Sequence, residues 1–296
     1  MNIACKAGST LVIANLLSLP VAAMTGSVAP GAEFLQGADT QVRGDGDESL
    51  ELQQFSLSGP LGHWQFSDSW HLNLAASAAA TEFHIEGAGD DRFQLYRVTL
   101  QTGLERQLDE QSQLMFAFAP TVASSMESIG SDDLAIDVTA GYRYQWGDAR
   151  LMLGAGYNHI FGEGKFMPLL GINYESQLDG GWQIMAGFPF TQISKMTDTG
   201  TRYFFRARPD GGKWHVHPQS GVANRQPYDL SWSSVKVGLG TSLPLHEKLQ
   251  LTLETGIQLR QHLTLQQQSG ETSHFWFHNA AYLSFTLGPA MPDRQQ

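Results

Sequence analysis

The chain has 296 residues, 42% of them hydrophobic and only 16% charged, with a net charge of −11 and a single cysteine, Cys5. The negative charge argues against electrostatic binding of nucleic acid, because phosphate contacts need clustered Lys and Arg. One cysteine supports neither a disulfide framework nor a zinc site built from cysteines. The charged fraction is also well below the roughly 25% that is typical of soluble domains.

The first 23 residues have the features of a cleaved signal peptide. Lys6 supplies the positive charge, an apolar stretch runs over residues 11–24, and Val21-Ala22-Ala23 matches the small residues of a cleavage site. The alternative is a membrane anchor. It is disfavoured because the segment contains Pro20 and is shorter than the roughly 20 residues that a spanning helix needs. We therefore predict export of the chain and cleavage after Ala23.

Residues 249–265 alternate between apolar and polar side chains with a period of two. A strand places two such sets on opposite faces, whereas a helix mixes them. The segment is also far longer than the roughly five or six residues of a usual strand. The apolar set is Leu249, Leu251, Leu253, Ile257, Leu259, Leu263 and Leu265, and the polar set is Gln250, Thr252, Glu254, Gln258, Arg260, His262 and Thr264.

The same alternation recurs along the chain, with parity slips in residues 50–57 and 230–243 that predict bulges near Gln53 and Ser233. Segments of about ten alternating residues separated by turns are typical of a transmembrane β-barrel. The alternative is a soluble sandwich or a lipocalin-like barrel that binds a ligand inside. The strand lengths, the charges on one face and the aromatic residues near strand ends favour the membrane barrel. Further apolar sets begin at Tyr96, Leu114, Leu134, Phe166, Trp182 and Phe275.

The connections alternate between short turns and longer polar loops, as in bacterial barrels with periplasmic turns and outer loops.

We predict an all-β fold, a single antiparallel transmembrane barrel of about fourteen strands that begins with a weak strand over Phe34–Val42. Twelve strands remain if the segment 201–217 is a loop excursion. The predicted parts are signal peptide 1–23, linker 24–31, barrel 32–288 and tail 289–296. The predicted short turns are 59–63, 107–111, 147–148, 178–181, 209–212 and 244–248, and the predicted longer loops are 43–48, 77–91, 124–132, 195–201, 218–228 and 266–272. Near the short turns, Trp64, Trp146, Trp182 and Trp214 would form a periplasmic girdle.

Residues 151–190 read LMLGAGYNHIFGEGKFMPLLGINYESQLDGGWQIMAGFPF. This run resembles an uncharacterised family of Gram-negative outer-membrane β-barrel proteins, a domain of unknown function. In that family a Gly-Tyr strand, a Pro-Leu-Leu-Gly strand and a Trp strand ending in Phe-Pro follow one another. The resemblance implies the barrel and an outer-membrane location, and it assigns no catalytic residue. The chain departs from many outer-membrane proteins in lacking a terminal aromatic residue, since Phe285 is followed by LGPAMPDRQQ.

The polar parity assigns ten charged side chains to the lumen. Charges of both signs across a small lumen could set a selectivity field for solutes, or could pair with one another and plug the barrel. Arg202, Arg206 and Arg208 share one face and would prefer an anionic ligand or lipid headgroup. The ten lumen-facing predictions are Arg97, Glu105, Asp137, Arg143, Arg150, Lys165, Glu175, Lys236, Glu254 and Arg260.

Other candidate sites are weaker. His215 with His217, and His274 with His278, could each share a metal, but no third ligand is evident and we predict no metal site. Acidic residues in predicted outer loops, Asp45, Asp47, Glu48, Asp90 and Asp91, could bind Ca²⁺ or bridge lipopolysaccharide.

The chain has no G-x-S-x-G motif and no evident nucleophile–base–orienter set. We therefore predict a narrow pore or structural envelope protein, not an enzyme, with no cofactor. The expected partners are outer-membrane lipids, lipopolysaccharide, the barrel-assembly machinery and small solutes. An outer-membrane hydrolase acting on lipid or envelope substrates is the alternative.

Overall fold

A computed structural model describes residues 30–43, 48–86, 91–176, 181–217 and 227–289. The predicted signal peptide and most of the tail lie outside these residues. Within them, no helix is long and apolar enough to cross a bilayer. The strands are β1 (Gly31–Gly37), β2 (Thr40–Gln41), β3 (Ser49–Ser67), β4 (Trp70–Glu86), β5 (Asp91–Gln107), β6 (Ser112–Ser124), β7 (Leu134–Trp146), β8 (Ala149–Phe161), β9 (Glu163–Glu175), β10 (Trp182–Phe188), β11 (Thr191–Met196), β12 (Arg202–Val216), β13 (Tyr228–His246), β14 (Leu249–Gln267), β15 (Thr272–Trp276) and β16 (Ala280–Gly288); a 3₁₀ turn covers Ser131–Asp133.

Antiparallel pairing runs from β3 to β14 in chain order and closes into a ring because β1 pairs with both β3 and β16. β1 with β2, and β15 with β16, each form one position in the ring, so the structure is a closed barrel of 14 strands. The chain enters at Gly31 and leaves at Gly288 on the same end. We call this the turn end, and the opposite one the loop end. Closure leaves no exposed sheet edge at the ends of the chain, as a spanning barrel requires.

The alternation of side chains separates the two faces of the wall. In β7, the apolar residues Leu134, Ile136 and Val138 are exposed, while Asp137 and Thr139 on the other face are half-buried and buried. The predicted parity is also confirmed in β5, where Val98 and Leu100 point outward and Thr99 and Gln101 inward. The outer face is therefore largely apolar along the described wall.

The strand count of 14 is confirmed, but several predicted boundaries are wrong, including the loop predicted at 77–91, since residues 77–86 lie in β4. The predicted single strand from Trp182 is two short strands, β10 and β11, whereas the predicted pair over 201–217 is one strand, β12. The predicted turn at 209–212 therefore lies inside β12. The turn at 197–201 closes at the turn end, so its prediction as an outer loop is also wrong. Residues 59–63 likewise lie within β3, and the actual turn to β4 is at 68–69.

Only one of the two predicted bulges is present. The ladder between β13 and β14 shifts register between Ser233 and Val235, as predicted. The ladder between β3 and β4 is continuous around Gln53, so the bulge predicted there is wrong. The change of pattern has another cause, because Leu50 and Leu52 point inward and are buried.

Candidate functional site in the lumen

The loop-end half of β12 bends inward across the lumen, and β13 follows it while it stays paired with β12 and, over residues 228–233, with β14. β11 pairs with β12 only up to Ala207, and beyond it β12 contacts strands on the far side of the ring. His215 forms a bridge with Ser124 of β6, and the Arg97 guanidinium of β5 donates a hydrogen bond of 3.2 Å to the Gly211 carbonyl. We call residues 209–216 and 228–235 the inner hairpin.

One face of the inner hairpin is apolar and packs inside the barrel. Trp214 and Trp232 are 3% and 2% exposed, and both make edge contacts with the Phe83 ring, at centroid distances of 5.8 and 5.7 Å. Burial of this surface supplies the free energy that holds the hairpin inside the lumen. The prediction that Trp214 belongs to a periplasmic girdle is wrong. The cluster comprises Leu35, Leu50, Leu52, Phe83, Leu95, Ala123, Trp214, Val216, Leu230, Trp232, Leu263, Phe277 and Tyr282.

The inward bend occurs at Pro209-Asp210-Gly211-Gly212, where glycines allow close approach of other groups. A Cβ on Gly212 would overlap the Arg97 guanidinium, which also lies over the Trp214 ring at 4.5 Å. A Cβ on Gly211 would be 2.7 Å from the Ile160 carbonyl of β8. The two glycines therefore let the hairpin pack directly on both the β5 and β8 sides of the lumen.

A cavity of about 140 Å³ lies within the lumen beside this bend. Charged groups of both signs line it, together with small and polar residues and the apolar residues Leu57, Ile160 and Pro209. The charged lining residues are Glu33, Arg97, Asp137, Arg208, Asp210, Lys213 and Lys236, together with His159.

Ion pairs connect the inner hairpin to the wall around this cavity. Lys236 Nζ lies 3.0 Å from Asp210 Oδ2, and both groups sit at the bend. Lower in the lumen, Glu254 lies 3.1 Å from Arg206 and accepts a hydrogen bond of 2.5 Å from the Tyr282 hydroxyl. Because buried charges need partners, removing one member of such a pair costs about 3–5 kcal/mol.

A second set of pairs extends across ring positions. Arg208 bridges to Glu33 of β1 at 3.4 Å and to Glu254 at 3.7 Å. Asp137 pairs with His159 at 2.7 Å on the opposite wall. The mid-lumen therefore holds a network of opposite charges around the cavity.

The ten charged residues that the sequence assigns to the lumen divide into three groups. Lys165 and Glu175 are exposed at the two ends of β9. Arg260 is exposed on the outer side, because it adopts a φ of 52° in a bulge opposite Ser234; its assignment to the lumen is wrong. The other seven point inward: Arg97, Glu105, Asp137, Arg143, Arg150, Lys236 and Glu254.

The bulge at Arg260 also reverses the parity of the residues after it. Gln261 and Leu263 become buried, and Leu263 joins the inner apolar cluster. The prediction that Leu263 shares the outer face with Leu253 is therefore wrong. A non-glycine residue at positive φ cannot be recognised from the sequence itself. The hydrophobic pattern shows only the consequence, which is the reversed parity of the residues after it.

The loop-end tip of the hairpin is anchored by the 3₁₀ turn. His217 Nε2 lies 3.3 Å from Asp133 Oδ1, and the Gly130 amide donates a hydrogen bond of 2.6 Å to Asp133 Oδ2. Burial would raise the pKa of the Asp133 carboxyl, but the hydrogen bonds and His217 outweigh it and hold this pKa below its usual value.

The histidine pairs considered as metal ligands have other partners. His215 Nδ1 lies 2.7 Å from Asp229, while His217 contacts Asp133 as described above. His274 stacks against His262 at a centroid distance of 5.4 Å. Of the acidic loop residues, Asp45, Asp47 and Asp90 lie outside the described residues.

Sequence reasoning missed Glu33, Asp210 and Tyr282 as lumen groups. Asp210 lies in a Pro-Asp-Gly-Gly run that has the composition of a turn, which concealed its role at the bend. Glu33 lies in a short first strand with too few residues to show an alternation. The shared face of Arg202, Arg206 and Arg208 was the signal that could have found the ion-pair network, since such closely spaced cations need acidic partners when buried.

No protein-family model matches the chain, and no curated protein matches it. Solved structures that match include a deletion mutant of the TodX monoaromatic hydrocarbon channel, with 9% identity, 93% of each chain covered and a TM-score of 0.44. The translocator domain of the autotransporter NalP from Neisseria meningitidis matches with 9% identity, 92% of each chain covered and a TM-score of 0.32. OccK7 from Pseudomonas aeruginosa matches with 10% identity over 89% of this chain and all of that chain, with a TM-score of 0.31.

Proposed function

We propose that this protein is an outer-membrane channel for small polar solutes whose axial path is closed by its own inner hairpin. The observation that supports this most directly is the position of the hairpin, which crosses the lumen beside a charged cavity. Its closing contacts join strands that are distant in the ring, so they can break without opening the wall.

The outer face supports the placement in a membrane. It presents apolar side chains such as Phe118, Val138, Leu153 and Leu239 to the surroundings. Most strands have 13 or more residues, against the roughly 9–11 needed to cross a bilayer. The longest connections within the ring of strands, between β6 and β7 and between β12 and β13, lie at the loop end, which favours the bacterial outer membrane with the loop end outside.

The charges around the cavity favour a polar solute. Once the hairpin moves, Arg97, Lys236 and Asp210 would face the passage instead of one another. A passage lined by both signs selects by the arrangement of charge on the solute as well as by its size.

Conductance of a tethered hairpin tests the proposal. In a Ser124→Cys/His215→Cys variant, a disulfide would join the bridged pair of β6 and β12, since antiparallel or parallel bridge partners lie within disulfide reach. In planar bilayers, we expect the oxidised protein to be silent and the reduced protein to show unitary steps. Equal conductance of the two forms, each shown to be folded, would contradict a gating hairpin.

A loosened hairpin should give the opposite result. Gly212→Ala would displace Arg97 from the Gly211 carbonyl and from the Trp214 ring, so we expect channel openings at least several-fold more frequent than in the unmodified protein. Gly59→Ala is the matched control, because a Cβ there meets only Pro30 at 3.8 Å. Folded Gly212→Ala protein that stays silent would indicate a plugged structural barrel instead.

A further inference from the structure

Arg97 lines the cavity at the bend of β12 with part of its guanidinium unpaired. One terminal nitrogen, Nη1, donates the hydrogen bond to the Gly211 carbonyl. The other, Nη2, is buried, has no hydrogen-bond partner and forms no ion pair among the described residues. The other lysines and arginines of the lining, Lys236, Lys213 and Arg208, each pair with a carboxylate. Because a buried donor without a partner is costly, Nη2 marks a position where a ligand oxygen would be stabilised.

Asp137 of β7 offers an open acceptor in the same cavity. Its Oδ1 accepts a hydrogen bond of 3.2 Å from the His159 amide and lies 2.7 Å from Nδ1 of the same histidine. Both contacts use Oδ1, and no described residue donates a hydrogen bond to Oδ2. The side chain is 14% exposed, so a donor within the cavity can reach Oδ2.

Arg97 and Asp137 line one cavity, but no ion pair joins them. The neighbouring charges of the lining behave differently, since Lys236 and Asp210 contact each other directly. The space between the guanidinium and the Asp137 carboxylate can be bridged by a solute that carries a carboxylate at one end and an ammonium at the other.

The balance of charge around the cavity favours such a solute over a simple ion. With the histidines neutral, the lining charges and their ion-pair partners contain as many cations as carboxylates. An added anion or cation would leave a charge uncompensated in this network, whereas a zwitterion adds no net charge. The cations are Arg97, Arg206, Arg208, Lys213 and Lys236, and the carboxylates are Glu33, Asp137, Asp210, Asp229 and Glu254.

The size of the cavity limits the solute to a small one. Its volume of about 140 Å³ is close to that of the engineered cavity of roughly 150 Å³ that binds benzene, and an alanine zwitterion is no larger than benzene. Ile160, which is only 7% exposed, adds an apolar residue to the lining. A short aliphatic side chain is therefore compatible with the space.

We propose that this cavity binds a small zwitterion of about the size of L-alanine, with its carboxylate on Nη2 of Arg97 and its ammonium on Oδ2 of Asp137. Charge-assisted hydrogen bonds of this kind are stronger than those between neutral groups. The inference rests on the proposed function, because it names the class of solute that the channel takes. The bound zwitterion joins two groups that the protein itself leaves apart.

Isothermal titration calorimetry on the folded full-length protein in detergent tests the site. The probes are L-alanine, propionate, which lacks the ammonium, and propylamine, which lacks the carboxylate. Because a hydrogen bond to a charged group is lost with either end, we expect L-alanine to bind at least about ten-fold more tightly than the other two. For the same reason, Arg97→Gln and Asp137→Asn should each weaken the binding of L-alanine by at least about ten-fold.

Asp137→Asn is the sharper of these two variants. Arg97 also holds the inner hairpin, so its replacement can act through a displaced hairpin, whereas Asp137→Asn keeps an oxygen for the contact with His159. Arg92→Gln and Glu82→Gln are the matched controls, because each removes one member of an exposed ion pair between β4 and β5. Both should bind L-alanine as the unmodified protein does.

A second pair of variants tests the cavity with every charge intact. Ala135 lines the cavity from β7, so Ala135→Leu should fill it and abolish binding. Ala155 lies on the exposed face of β8, so Ala155→Leu should bind normally. The heat-modifiable gel mobility of each variant shows that the barrel is folded before the titration.

Equal affinity for propionate and L-alanine would overturn the proposed zwitterion site, and so would unchanged binding in Asp137→Asn. The absence of saturable binding at millimolar L-alanine would overturn it as well, whether or not the protein conducts. A folded protein that binds L-alanine as expected but remains silent in bilayers in every state of the hairpin would instead contradict the channel and keep the site.

Discussion

Arg260 adopts a backbone conformation that L-residues rarely adopt. Its φ of 52° lies in the left-handed region, which costs a residue with a Cβ roughly 1–2 kcal/mol. The bulge needs this conformation because it turns Leu263 from the outer face into the inner cluster. The strain at Arg260 is therefore offset by apolar burial three residues further along the strand.

Replacing Arg260 by glycine should stabilise the barrel in lipid-free detergent. Glycine adopts positive φ without a Cβ clash but loses more freedom on folding, so we expect a net gain of about 0.5–1 kcal/mol in the free energy of unfolding. Reversible unfolding in guanidinium measures it, with Arg260→Gln as the control that removes the charge and keeps the strain. A Gly variant no more stable than the Gln variant would show that the bulge carries no strain.

At the scale of elements, the inner hairpin is held at its tip by the contact between Asp133 and His217. Because the pKa of Asp133 is lowered in the folded state, the carboxylate stabilises the anchor fully above its unfolded value of about 3.9. This contribution is lost as the pH falls through the lower, folded value. The carboxylate therefore adds no pH dependence to the anchor between pH 5 and 8.

Asp133→Asn should release the tip at neutral pH. A hydrogen bond to a charged group contributes about 1.5–3 kcal/mol, so amide hydrogen exchange of residues 125–133 should become at least about ten-fold faster. In the unmodified protein, the protection factor of this segment, which corrects for the intrinsic pH dependence of exchange, should fall to that of the variant only below about pH 4. Asp132→Asn, at the exposed neighbour, is the control; an equal increase there would mean that Asp133 has no special role.

The sequence predicts well those strands that have a polar, water-filled lumen on one side and an apolar exterior on the other. β5 and β7 meet this condition, so their two faces could be assigned by parity alone. Leu50 and Leu52 do not, because the inner hairpin gives them an apolar partner inside the barrel. Since they are apolar but point inward, the alternation changes phase near Gln53 as it would at a bulge. The period of the pattern predicts the strand, but the polarity of each face depends on what fills the lumen.

The site itself was predictable only as separate residues. Parity identified Arg97, Lys236 and Glu254 as inward, but their pairing with Gly211, Asp210 and Arg206 depends on a strand that crosses the ring. The Pro-Asp-Gly-Gly run has the composition of a turn and occurs in the structure as the bend of one long strand. Local sequence cannot distinguish the two, because the partners that decide between them lie on β5 and β8.

For the molecule as a whole, the outer face is mainly apolar, while the lumen is divided into an apolar layer and a charged layer. Apolar side chains cover the exterior over most of the height of the strands, whereas the lumen has an apolar layer above a charged one. The apolar layer and the exterior both depend on burial away from water, the first against protein and the second against lipid. Only the burial of the exterior against lipid should contribute a stability that depends on depth in the membrane.

That difference gives a test of the orientation of the whole barrel. Leu239 and Leu245 both point outward from β13, with exposed fractions of 64% and 55%, but Leu245 lies beside the turn at 247–248 and Leu239 lies mid-strand. An arginine on the lipid face of a barrel costs about 2–4 kcal/mol at the bilayer midplane and about 0–1 near the interface. We therefore expect Leu239→Arg to lower the free energy of unfolding by about 2–4 kcal/mol in lipid vesicles, and Leu245→Arg by less than about 1. In detergent micelles, which adapt their shape around a charge, the gap between the variants should narrow. Equal losses in vesicles would mean that the apolar exterior does not face a bilayer.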